Sequence, residues 1–148
     1  MSSIRGVRFQ NLDNNDYTLY DILKPLNIEL YDWRLSYINI YGEGWEFDQP
    51  CIMKGKELLD LLETGYTHAI FGEFIGYKSK ANLNDIDTYE EFLNSHAEVI
   101  FLLVDGGYFD AYIKDIEITN HYFTIIKQLD LNPELIDEDD SRTRLTVS

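Results

Sequence analysis

The chain has 148 residues, 45% of them hydrophobic and 26% charged, with 27 acids against 12 Lys plus Arg for a net charge of -15. That length suits one domain, which removes about 70% of its unfolded surface from water and needs no disulfide or metal to hold it. A field of that sign repels nucleic acid and anionic lipid, and no basic run reverses it locally, so neither partner is expected.

Ile4, Val7 and Phe9 predict a short strand over residues 4–9. Asn14-Asn15-Asp16 offers N-caps to a helix whose Leu19, Ile22 and Leu23 recur at i, i+3 and i+4. Pro25 ends it, because the residue before proline is pushed out of the helical region. Residues 30–41 read as strand with a break in phase. Tyr31, Trp33, Leu35 and Tyr37 share one face while Ile38 and Ile40 fall on the other, so a bulge is expected near Tyr37. Gly42-Glu43-Gly44 predicts a hairpin turn that returns through Trp45 and Phe47, opposite Ile40 and Ile38, with loop over residues 48–54.

Gly55 is placed to cap a helix carrying Leu58, Leu59, Leu61 and Leu62, with Gly65 beyond its end. Residues 67–77 are rich in aromatic and β-branched side chains and predict a strand, followed by polar loop over 78–87. Thr88-x-x-Glu91 is a capping box opening a short helix with Tyr89, Phe92 and Leu93 inward. Residues 97–104 are apolar on both faces except for Glu98, the pattern of a central strand. Asp105-Gly106-Gly107 turns the chain into residues 108–114, with Phe109, Ala111 and Ile113 inward and Tyr108, Asp110, Tyr112 and Lys114 outward. A longer helix follows Asp115, with Ile118, Tyr122, Ile125 and Leu129 on one stripe. After Pro133, Leu135-Ile136 and Leu145-Thr146-Val147 predict two short strands around an acidic turn at 137–140. The order β-α-β-β-α-β-α-β-β-α-β-β places the chain in the α+β class: one domain over residues 1–148, with a single mixed β-sheet and about four helices mainly on one face.

Catalytic and cofactor patterns fail one by one. Gly55-Lys56 resembles the end of a phosphate loop, but Pro50 stands at the first glycine position and Glu57 replaces Ser or Thr. Gly42-Glu43-Gly44 begins a dinucleotide pattern, yet Phe47 occupies its third glycine. His68, His96 and His121 have no second ligand at helical spacing, and neither 13–16 nor 137–140 has the glycine and terminal glutamate of a calcium loop; no metal and no cofactor are expected. The single cysteine, Cys51, has no partner for an internal disulfide and no adjacent base, and reads as a small hydrophobe. With no signal-like opening segment and no run of about 18 apolar residues, the expected location is the cytoplasm.

Three features remain as candidates. Glu73 shares a strand face with Phe71 and Ile75, where desolvation raises a carboxyl pKa, although an edge or wet face is the plainer reading. Gly72 and Gly76 on the opposite face suggest close approach of another backbone. Eleven Tyr and two Trp exceed what a core needs, and Trp45, Phe47, Tyr108 and Tyr112 are placed to form a recognition patch unless loops cover them. The acids form two dense clusters. Asp85, Asp87, Glu90 and Glu91 stabilise their own helix start, whereas Asp137, Asp139 and Asp140 have no such duty and make the better binding candidate, partly offset by Arg142 and Arg144.

Four stretches carry a resemblance: Ile4-Arg5-Gly6-Val7-Arg8-Phe9, Tyr20-Asp21-Ile22-Leu23-Lys24-Pro25, Thr88-Tyr89-Glu90-Glu91-Phe92-Leu93-Asn94-Ser95 and Ser141-Arg142-Thr143-Arg144-Leu145-Thr146-Val147. Together they resemble a family of short acidic proteins of unknown function from spore-forming Gram-positive bacteria. The resemblance implies a bacterial cytoplasmic protein and supplies no catalytic residues.

Two functional readings follow. The first is a non-enzymatic module that binds a basic protein, for instance an immunity-type inhibitor steered by opposite charge. The second is a small enzyme or ligand-binding domain with Glu73, Asp105 and Asp110 in a cleft beside the sheet. A pocket of converging carboxylates favours the second; a shallow surface with exposed aromatics favours the first.

Overall fold

The computed structural model describes residues 4–11, 17–64, 67–78, 85–104 and 107–137. Its strands are β1 (Ile4–Gln10), β2 (Asp32–Tyr41), β3 (Cys51–Lys54), β4 (His68–Tyr77), β5 (Ala97–Val104), β6 (Tyr108–Ile113) and β7 (Glu134–Asp137). Its helices are α1 (Leu19–Leu23), α2 (Gly55–Glu63), α3 (Tyr89–Leu93) and α4 (Ile116–Gln128). The strands form one seven-stranded sheet in the order β3-β2-β4-β5-β6-β1-β7. The α+β class, the single sheet and the central place of β5 stand as expected. Neighbouring strands all pair antiparallel, so the sheet is antiparallel where element order suggested a mixed one.

One face carries the main core. Trp33, Leu35, Phe74, Val99, Phe101, Leu103, Phe109 and Ala111 meet Leu19, Ile22, Leu58, Leu62, Tyr122 and Ile126 from α1, α2 and α4. Across it runs a chain of rings: Trp45–Phe74 at 6.3 Å between centroids, Phe74–Phe101 at 6.1 Å, Phe101–Phe109 at 5.5 Å, Phe109–Phe9 at 5.1 Å and Phe9–Tyr122 at 6.1 Å. Much of the aromatic surplus is spent here. The Tyr122 hydroxyl donates to the Ile22 carbonyl at 2.8 Å, satisfying its one polar atom and tying α4 to α1. Asp115 Oδ1 caps α4 by accepting from the N–H groups of Glu117 and Ile118.

The phase break in β2 is resolved by a bulge. Pairing with β4 shifts between Ser36 and Asn39, and Tyr37 takes φ 52° and stands exposed, off the face of Trp33 and Leu35 where alternation placed it. The extra residue turns Ile38 and Ile40 onto the core face, so one strand buries both apolar sets. The bulge is held by Gln49: the Ile38 N–H donates to Gln49 Oε1 at 2.7 Å, and Gln49 Nε2 donates to the Ile38 carbonyl at 2.9 Å.

Several local expectations need correction. The Gly42-Glu43-Gly44 turn forms, with Trp45 N–H donating to the Gly42 carbonyl, but Trp45 then drops into the core and Phe47 does not build a strand. The returning strand is β3, inside the expected loop, pairing Cys51–Lys54 with Leu35 to Asp32. Thr18 caps α1 in a box with Asp21; the proposed caps at 14–16 lie outside the described residues, as do Gly65 and 145–147. Pro25 follows the α-helix without ending the turn, because it is the second residue of the 3-10 segment Lys24–Leu26, in a first turn where its missing N–H breaks no helical bond. Lys54, not Gly55, is the N-cap of α2. Glycine is required at 55 for a different reason: a Cβ there would run into the Ile28 carbonyl oxygen. Gly76 likewise makes room for the Trp33 ring, not for another backbone.

Candidate functional site

The second face of the sheet holds a smaller core of Ile75, Tyr77, Ile100, Leu102, Tyr112 and Ile136, covered by Ile86 and Phe92. Here α3 does the covering. Its Phe92 is buried and Tyr89 half-buried, but Leu93, expected inward, is 52% exposed because so short a helix presents only one narrow stripe. Tyr112, expected outward, is 1% exposed: both faces of β6 are covered, so alternation could not tell inside from outside.

Between α3 and the end of β4 lies a cleft of about 750 Å³, lined in part by Tyr77, Asp85, Ile86, Glu90, Glu91 and His96. No Lys or Arg lines it among the described residues. Asp85 is engaged by Arg34, whose Nη1 lies 3.1 Å from Asp85 Oδ1 and also donates to Ser36 Oγ at 3.4 Å. Thr88 Oγ1 accepts from the Glu91 N–H at 3.1 Å, but Glu91 Oε2 accepts from the Asp87 N–H at 3.4 Å instead of from Thr88, so the cap forms without the reciprocal bond of the expected capping box. Asp87 and Glu90, both exposed, have no ion pair among the described residues. The cleft's inner wall is apolar enough that burial pushes the Tyr77 hydroxyl up to about 12, against the lowering pull of Arg34. Behind α3, Lys114 Nζ donates to the Ser95 carbonyl at 2.7 Å and sits 3.9 Å from Glu98 Oε2; burial lowers its pKa against the raising effect of Glu98.

Glu73 and Asp110, two of the three carboxylates proposed for catalysis, lie elsewhere on this face. One cross-strand row reads Ser36, Glu73, Leu102, Asp110, Arg8. Glu73 is fully buried beside Ile75 and Leu102, which overturns the edge or wet face that seemed its plainer setting. Two strand spacings, about 10 Å, separate its Cα from that of Asp110. Asp110 is held by Arg8 in a fork, Nε to Oδ1 at 2.8 Å and Nη2 to Oδ2 at 3.2 Å, so its oxygens are committed to a cation. Asp105 lies outside the described residues. The row is therefore one buried acid and one paired acid, not two acids converging on an open space.

The proposed aromatic patch is divided. Trp45 is 4% exposed and Tyr112 1%, Phe47 is half-buried, and Tyr108 stands out at the end of β6. Tyr37 and Tyr41, which alternation did not single out, are exposed instead, and Tyr41 stacks on His68 at 6.3 Å. In the C-terminal acidic cluster, Asp137 is half-buried and pairs with Ile4 across β7 and β1, which gives it a structural place; Asp139 and Asp140 lie outside the described residues. Cys51 is half-buried on the edge strand, and burial, with Glu57 adding, pushes its thiol up, which disfavours the reactive thiolate. Among the described residues no three His, Cys, Asp or Glu side chains gather as metal ligands, and no helix is long and apolar enough to cross a membrane.

Residues 4–146 match the family described as "Protein of unknown function (DUF2691)". The chain belongs to this family. It is also 32% identical over 151 residues to "Uncharacterized protein YncE" of Bacillus subtilis (strain 168), covering 97% of this chain and 99% of the relative. A family of unknown function, and a relative in a spore-forming Gram-positive bacterium, are what the four sequence stretches implied. No solved structure matches the chain.

Proposed function

We propose that this family member is a non-enzymatic, cytoplasmic binding protein whose acidic second face, beside α3, receives a basic protein. The observation that carries the reading is the cleft lined by Asp85, Glu90 and Glu91 with no cation among its described lining residues, on a chain of net charge -15. A cleft of that charge concentrates a positively charged partner and speeds encounter more than it tightens the final complex. This moves the binding surface from the C-terminal cluster to residues 85–91. Asp87 and Glu90 are the acids left over once Arg34 and the α3 cap have taken Asp85 and Glu91. An inhibitor of a basic toxin is one concrete form of such a protein, on grounds of size and charge alone.

The test uses the full chain as bait in lysate of its source cells, followed by association kinetics with the identified protein. The expected partner is basic, and its association rate falls as salt rises. Replacing Asp87→Asn together with Glu90→Gln should slow association several-fold at low ionic strength, with the difference fading near 1 M salt, where the Debye length shrinks to about 3 Å. An unchanged melting temperature shows that the variant is folded. A neutral or acidic partner, or a rate indifferent to salt, would overturn the reading.

A further inference from the structure

Granted the basic partner of the proposed function, we infer that it grips this protein through arginine side chains stacked on the tyrosines at the open end of the second face. Alternation carries that face past Glu73, Leu102 and Asp110 to two more cross-strand pairs, Asn39 with Phe71 and Val104 with Tyr108. Beyond Asn39, Tyr41 pairs with His68. Tyr41 is 63% and Tyr108 46% exposed, so both rings meet solvent. None of these six residues is Lys, Arg, Asp or Glu, on a chain in which 26% are, so the patch is uncharged beside an acidic surface. That is the division of a protein interface, whose core is poor in charge and rich in Tyr.

Charge complementarity decides the occupant. The field of a chain at -15 draws in cations, whereas a second copy brings the same sign and is repelled. Of the two basic side chains, the guanidinium is the planar, weakly hydrated one that lies flat on a ring. Tyr41 is stacked on His68 at 6.3 Å between centroids, which sets the plane of its ring before a partner arrives. The length of β5, roughly 24 Å at about 3.4 Å per residue, separates this end from α3, and an extended segment of ten residues spans it. The acids beside α3 then speed encounter, and the rings slow release.

The test titrates capped deca-arginine and deca-lysine against the full chain at physiological ionic strength, with affinity read by calorimetry and ring signals by NMR. Deca-arginine should bind more tightly and shift the ring resonances of Tyr41 and Tyr108. Tyr41→Ala together with Tyr108→Ala should weaken deca-arginine roughly fivefold and leave deca-lysine nearly unchanged, at an unchanged melting temperature. Asp87→Asn with Glu90→Gln should weaken both peptides alike. If the tyrosine variant binds deca-arginine as the parent does, or loses both peptides equally, the arginine contact is refuted, and the acidic reading survives wherever the acid variant still weakens both. If only the tyrosine variant has its expected effect, the acidic reading fails and the arginine contact stands. A concentration-dependent dimer that the tyrosine variant abolishes would assign the patch to a second copy and overturn the contact.

Discussion

Replacing Phe101 with Ala tests the ring chain at its centre. Phe101 lies on the middle strand, is fully buried, and touches Phe74 at 6.1 Å and Phe109 at 5.5 Å between ring centroids. Truncating a buried Phe costs about 3–5 kcal/mol, from lost transfer energy and the cavity left behind. Each edge-on or tilted ring contact accounts for about 0.5–1.5 kcal/mol of coupling. At about 3 °C per kcal/mol for a chain of this size, the melting temperature should fall by roughly 10–15 °C. Phe101→Leu, which keeps an apolar side chain but removes the ring, should give a clearly smaller drop. Tyr108→Ala serves as the control on the same sheet: its ring is 46% exposed, so the change should stay within about 0.5 kcal/mol. Thermal unfolding followed by circular dichroism measures all three. If Phe101→Ala melts within about 3 °C of the parent, or if the Tyr108 variant loses as much, the ring chain is not what holds the sheet.

Gly6→Ala should destabilise by about 2–3 kcal/mol or prevent folding, since the new Cβ would run into the Ala111 carbonyl oxygen and lie 3.0 Å from Tyr112 Cα, both rigid backbone; a parental denaturation midpoint would refute this. Gln49→Ala removes both hydrogen bonds that hold the β2 bulge and should cost about 1 kcal/mol, water replacing part of the loss. Its sharper signature is faster hydrogen exchange at the Ile38 amide, and unchanged protection there would count against the clamp. Alkaline pH should unfold the protein. Burial raises the hydroxyls of Tyr31, Tyr89 and Tyr122, and that of Tyr77 to about 12 from 10.0. The unfolded chain therefore releases protons first, so stability is whole below pH 10 and falls as pH rises toward 12, by about 2–3 kcal/mol for Tyr77 alone. Phenolate absorbance should rise together with loss of the far-ultraviolet signal; full ionisation of the tyrosines while the fold persists would contradict their burial.

Where periodicity had a single reading, the fold was legible. Residues 97–104, apolar on both sides, sit in the middle of the sheet, and the phase break at Tyr37 marks a real bulge. The errors gather where a tertiary contact replaces a local one. Nothing local in Trp45 or Phe47 separates a returning strand from a loop that feeds rings into the core. What decides it is Phe74, which offers Trp45 a neighbour that a strand position would not. Cys51–Lys54 was hidden for the converse reason: four residues after a proline carry too few alternations to signal a strand, yet β2 offers them an edge.

The acids show the same limit from the functional side. In sequence the two clusters differ by whether their carboxylates have a local duty, and the helix start at 88 supplies one for residues 85–91. The structure divides that cluster. Glu91 serves the cap, and Asp85 is drawn off by Arg34, which is 51 positions away in the chain and reaches it because the bulge lies beyond Ser36 and leaves Arg34 in register with Ile75 on the second face. One clue was present: Arg34 alternates with Trp33 and Leu35, so any register that buries those two turns Arg34 to the opposite face, which pairing with β4 makes the face of Glu73. Following that alternation leads to an acid partner for Arg34 on the second face. It also leaves Asp87 and Glu90 exposed and without an ion pair among the described residues, Glu90 keeping its place in the first turn of α3, where the helix dipole favours a carboxylate. An exposed negative surface beside α3 attracts positive charge from a distance, which is what the proposed basic partner supplies.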